Sequence, residues 1–171
     1  MSKRADLPDL KSLPSGHLPT ALAMAQRCRD VGEPEEAESI CLDVLDNEPQ
    51  NQEALVLLLL ARTDLLDKGL PSGIEKAREA LSKLEGEYER AYYAGIICER
   101  QARYLLRARG RRSSFVAWDW FRYAMEHFEE AAQLAPDRIE AVLRFNTCIR
   151  LIQGNRHCVP DPGDDYEHGI E

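Results

Sequence analysis

No long apolar run occurs in this sequence. The longest, Ala54–Ala61 (ALVLLLLA), spans eight residues, whereas a helix needs roughly 20 to cross a bilayer, so membrane insertion is not expected. The opening Met-Ser-Lys-Arg-Ala-Asp-Leu-Pro has basic residues with no apolar stretch behind them, which is not the pattern of a secretory leader. The expected location is the cytoplasm. Cysteine is sparse: Cys28, Cys41, Cys98, Cys148 and Cys158 make an odd number with no Cys-x-x-Cys spacing, so no disulfide framework is expected. Four of the five fall at apolar positions of helical patterns and read as small buried thiols.

The motifs of catalysis are missing too. There is no Gly-rich phosphate loop, no Gly-x-Ser-x-Gly elbow and no His-Glu-x-x-His. His17, His157 and His168 lie in the terminal segments, and His127 stands beside Glu126, Glu129 and Glu130 on what reads as a solvated helix face. His157-Cys158 with Asp161, Asp164 and Asp165 gathers metal-ligand types, but in a tail rich in Pro, Gly and Asp where nothing fixes a geometry. No enzyme, no cofactor and no metal are expected. A basic surplus is also lacking: 22 Lys and Arg face 30 Asp and Glu, for a net charge of −8. Phosphate backbones need the opposite balance, so nucleic acid is not the expected partner.

What is present is helical periodicity. At 44% hydrophobic and 30% charged residues, the 171-residue chain has enough apolar side chain to bury a core. No β-alternating segment of useful length occurs, and the expected fold class is all-α. Residues 1–17 read as a disordered arm and 155–171 as a disordered acidic tail. Between them, Pro19-Thr20 opens a helix that Gly32 ends. Glu33-Pro34-Glu35-Glu36 opens the next, with acids at the positive end of the helix dipole, and Ala37, Ile40, Cys41, Val44 and Leu45 form its apolar stripe. Helix three is expected over about 51–67, helix four over 74–84, helix five from 87 to the breaker Gly110, helix six over 114–134 and helix seven up to 153. The hairpins are therefore about 18–49, 51–86 and 87–136, with a capping helix at 137–153.

The second helices carry a recurring pattern. Ala37, Cys41, Val44 and Pro49 in the first hairpin correspond to Ala124, Phe128, Ala131 and Pro136 in the third, within AMEHFEEAAQLAP. On first helices Met24-Ala25, Leu58-Leu59 and Ala94-Gly95 form the matching pairs. Over residues 18–152 the chain resembles the tetratricopeptide repeat family, whose second helix carries Ala-x3-Phe and a following proline. Pro49 and Pro136 are 87 positions apart (136 − 49), more than two periods of about 34, and most of the excess falls between helices five and six. The second hairpin keeps only Ala77, Leu81 and Leu84. The resemblance implies a short right-handed superhelix in which stacking buries the apolar face of each hairpin.

It also implies a site. In such arrays the first helices line a concave groove, which here gives Leu22, Gln26 and Arg29; Val56, Leu57 and Leu60; Tyr92, Tyr93, Ile96 and Arg100; and Arg144 and Arg150. This groove is apolar and aromatic in the middle and cationic at its C-terminal end, and would take a partner peptide or helix. The alternative is that helix three is buried on all sides. Carboxylate-clamp members need Lys and Asn at positions held here by Leu22, Gln26 and Leu57, so that mode is not implied. Arg100, Arg103, Arg107, Arg109, Arg111 and Arg112 crowd one stretch without an acid. Arg103, Arg107 and Arg111 share its basic face, which either docks carboxylates or phosphates or pairs with the chain's own acids. Arg111-Arg112-Ser113-Ser114 resembles a basophilic kinase string, though a serine there also serves as a helix cap. Trp120 points away from the inward row of Phe121, Met125 and Phe128, and the aromatics here either pack in the core or, as an exposed Trp120 would, serve an interface. The leading functional reading is a protein-binding adaptor or scaffold. A small acidic chaperone for a secreted or assembling partner, similar at fold level to type III secretion chaperones, is the second. Self-association into a homo-oligomer through helices five and six is the third.

Overall fold

The computed structural model describes residues 7–108 and 110–163. The expectations for residues 1–6 and 164–171 therefore lie outside the described residues. Within them the regular elements are α1 (Leu18–Asp30), α2 (Pro34–Asn47), α3 (Gln52–Asp64), α4 (Gly73–Leu81), α5 (Glu87–Arg107), α6 (Arg111–Leu134) and α7 (Glu140–Gln153), with two short 3-10 turns and no strand. The chain is all-helical, and each helix packs on the next in sequence.

Local chemistry sets the turns. Gly32 (φ +82°) and Gly69 (φ +77°) hold left-handed backbone that a side chain would strain. At the first, the Glu33 N–H reaches back to the Cys28 carbonyl at 2.8 Å, the bond that closes a helix on a left-handed residue. Asn51 caps α3 by accepting the Ala54 N–H at 2.9 Å. The third helix is shorter than its pattern: the last four residues, Leu65–Lys68, tighten into a 3-10 turn, because Gly69 follows and ends the α-pitch. Helix six starts earlier than expected, at Arg111, because Ser113 Oγ accepts the Gly110 N–H at 3.0 Å and satisfies that end. At the N-terminal side, Ser15–His17 form a single 3-10 turn, and Leu13 packs partly on the core.

Two apolar cores result. The first gathers α1 to α4 around Leu55, Leu58, Leu59 and Ala77, and takes in Ile97 of α5. The second gathers α5, α6 and α7 around Phe121, Phe128, Ala131 and Cys148. Leu60 and Tyr93 lie half-buried against both. Cys158, in the stretch that reads as tail, is instead buried in the second core, held by a turn in which its N–H donates to the Asn155 carbonyl at 2.8 Å. The α5–α6 hairpin is the tightest pairing. A Cβ on Gly95 would fall 2.5 Å from the Phe128 ring, so only a glycine lets the helices approach this closely.

Burial also sets the thiol chemistry. Desolvation pushes Cys41 and Cys148 up to about 12 and Cys98 to about 11, and raises Cys158 in the same direction. These thiols keep their protons in the folded state at pH values where the unfolded chain, with an ordinary thiol pKa of 9.0, has lost them. The unfolded state thus binds fewer protons above pH 9, and stability falls as pH rises, by about 1.4 kcal/mol per pH unit for each such thiol. Below pH 9 the contribution is fully present. Urea midpoints at pH 8 and pH 10 should show this drop. Thiol labelling of the native protein at pH 8 should modify half-buried Cys28 first, with the other four labelling only as the chain unfolds. Prompt labelling of several thiols would contradict the packing described.

Candidate functional site

The first arms of the hairpins, α1, α3 and α5, and the closing helix α7 are bridged in turn by charged side chains. Asp64, at the end of α3, accepts from Arg29 Nε of α1 at 2.9 Å and lies 3.5 Å from Arg100 of α5. Asp67, in the following 3-10 turn, pairs with Arg107 and lies 3.9 Å from Arg100. Glu99 of α5 pairs with Arg103 at 2.7 Å, one turn along, and with Arg144 of α7 at 3.4 Å. Glu99 is only 1% exposed. An unpaired carboxylate there would cost several kcal/mol, so two guanidiniums are a physical requirement of its burial. Burial alone would lower the Arg144 pKa; the Glu99 charge and the Tyr92 hydroxyl outweigh it and hold the guanidinium above its ordinary value.

These bridges place the expected residues. Arg29 and Arg100 meet at Asp64 and Arg144 joins Arg103 at Glu99, whereas Arg150 is exposed on α7. Of the two readings of the arginine run, Arg100, Arg103 and Arg107 take pairing with the chain's own acids. Arg111 is exposed, with its guanidinium 6.0 Å from the Phe115 ring centre. Leu22, Leu57 and Ile96 are buried and belong to the cores, leaving Gln26, Val56, Leu60, Tyr92 and Tyr93 half-buried. The apolar centre of the expected groove is therefore narrower than the sequence pattern gave, since α3 is apolar nearly all round and its period cannot say which side faces out. Tyr92 stacks on Tyr88 at 5.7 Å and meets Tyr93 edge-on at 5.1 Å. Trp120 is half-buried, not exposed. Arg78 of α4 lies 5.6 Å over its ring, and Tyr123 meets it edge-on, so a side chain from another hairpin covers it.

No protein-family model, curated protein or solved structure matches this chain.

Among the described residues no group of three His, Cys, Asp or Glu is placed to hold a metal ion, and no helix is long and apolar enough to cross a membrane. Ser113 of the kinase-like string caps α6 by accepting the Gly110 N–H, and Ser113 and Ser114 both donate to the Gly110 carbonyl, at 2.7 and 3.1 Å. Sequence reasoning missed Glu99 and Asp67. The only signal for Glu99 was its place four residues before Arg103, on a helix whose neighbours Ile97 and Cys98 are apolar.

Proposed function

We propose that this chain is a protein-interaction module, a short tetratricopeptide-type array whose α1–α3–α5–α7 face holds a segment of a partner protein. One observation carries the reading: α1, α3, α5 and α7 are joined in that order by Arg29–Asp64, Asp64–Arg100 and Glu99–Arg144. Ion pairs that reach between alternate helices, with α1 also packed on α3, support a stack of hairpins. The repeat positions Ala37, Cys41 and Val44 on α2, and Ala124, Phe128 and Ala131 on α6, are all fully buried, which supports equivalent roles for the two helices. Val56, Leu60, Tyr92 and Tyr93 line the face as half-buried apolar and aromatic residues, the composition that anchors a bound segment.

Site-specific photo-crosslinking tests this. A benzophenone side chain at Gln26 or Val56 should capture a partner in the native host, whereas the same group at Ser39 of α2 or Glu75 of α4, exposed on second helices, should not. Equal capture from both faces, or capture from the second helices alone, overturns the proposal. Self-association is the second reading, favoured by Ile139, Val142 and Leu143, which are 66%, 48% and 56% exposed beside the last helix. Those residues would carry it on α7, and not on helices five and six.

A further inference from the structure

The stretch that lengthens the third hairpin also builds a cleft. The end of α5, the start of α6 and the turn after α7 enclose a volume of about 820 Å³, with Arg111, Arg156 and His157 on its walls. Leu106 and Asn155 are shared with an adjoining hollow of about 420 Å³ that adds Asp67, Arg100, Arg103 and Arg107. Together the two hollows present five guanidiniums and one carboxylate. The larger is within the size range of ligand sites, ~300–1,000 Å³.

The charge is concentrated against the trend of the molecule. The five arginines and one aspartate make +4 in a chain of net charge −8, so the remainder carries −12. Arg100, Arg103 and Arg107 already lean on acids. Arg111 and Arg156 meet no carboxylate among the described residues: Arg111 lies over Phe115, and Arg156 Nε donates to His157 Nε2 at 3.0 Å. A guanidinium matches a carboxylate two bonds at a time. Leu106 and Leu151 line the hollow between the arginines, and apolar walls suit a chain with apolar side chains. The negative remainder of the surface repels a polyanion that extends past the cleft.

We propose that this cleft docks a short acidic segment of a partner protein, its carboxylates on Arg111 and Arg156 and its apolar residues on Leu106 and Leu151. The inference rests on the interaction-module reading and gives the partner's chemistry at the arginine-rich end. It differs from binding on the α1–α3 face, because residues from the α5–α6 turn and the turn after α7 form the cleft.

Fluorescence anisotropy of the full chain with a labelled peptide, Glu-Leu-Asp-Glu-Leu-Glu-Asp-Leu-Glu, tests it. Binding should be saturable and fall as salt rises. Arg111→Glu with Arg156→Glu should weaken it at least about tenfold with helicity unchanged, and the Lys pair should fall between, keeping the charge without the fork. A peptide with Gln and Asn in place of its acids should also bind at least about tenfold more weakly. Absence of peptide binding, or binding indifferent to Arg111 and Arg156, overturns the cleft. A thymidine 12-mer bound more tightly than the peptide and lost in the same variant overturns it in favour of nucleic acid. The crosslinks from Gln26 and Val56 are scored separately, so failure of the cleft and failure of the α1–α3 face give different results.

Discussion

Phe128→Ala should cost about 3–5 kcal/mol of stability. The ring is fully buried in the second core, 5.8 Å from Tyr92, and it fills the space left by the missing side chain of Gly95. Its loss opens a cavity between the two longest helices, where backbone relaxation is restricted. The partner substitution gives the decisive comparison. Gly95→Ala raises helix propensity by up to ~1 kcal/mol, but its methyl would lie 2.5 to 3.0 Å from three atoms of the ring. Overpacking of this kind costs about 1–3 kcal/mol, so Gly95→Ala alone should destabilise. In the Phe128→Ala background the same methyl enters the cavity and should stabilise. Urea unfolding followed by circular dichroism would give a coupling of about 0.5–3 kcal/mol. Additive effects would mean that the ring does not rest on Gly95.

Arg144→Met should destabilise the protein by about 1–3 kcal/mol, because it removes one of the two guanidiniums that hold a buried carboxylate. Glu99 is nearly inaccessible; Arg103 stays beside it at 2.7 Å, and Arg144 at 3.4 Å is itself 36% exposed, so the loss is smaller than for a buried carboxylate left with no partner. Glu99→Leu in the Arg144→Met background should restore most of the loss, since an apolar pair of similar volume often replaces a buried ion pair at little cost. Thermal melts of the two single variants and the double variant decide the matter. A double variant as unstable as the sum of the singles would show that these side chains hold the α5–α7 seam by packing and not by charge.

The elements were legible in the sequence where a single residue type forces an outcome. Gly32 and Gly69 end helices because left-handed backbone suits them, and Ala124, Phe128 and Ala131 mark an inner face because their spacing follows the helical turn. Facing was legible where a helix is two-sided, as in α2 and α6. It was not for α3, whose apolar residues surround it and send Leu57 inward. The sites that depend on chain-distant meetings left the weakest trace. Little beyond Arg103 one turn on marks Glu99 as buried, because its second partner, Arg144, comes from 45 residues away. The cleft requires the turn after α7 to return to the α5–α6 turn, in a stretch whose composition reads as tail. Cys158 anchors that return, and a lone cysteine among Pro, Gly and Asp carries no periodicity to announce it.

The two cores meet at a seam that few apolar side chains cross, Leu60, Tyr93 and Ile97 among them, beside the Asp64 and Asp67 bridges to α5. Dispersion packing is indifferent to electrolyte, whereas part-exposed ion pairs weaken within a Debye length of about 8 Å at physiological ionic strength. Added salt should therefore loosen the seam before it touches either core. The ionic strength of the medium then acts on how the two halves are joined, and leaves what each half is made of untouched.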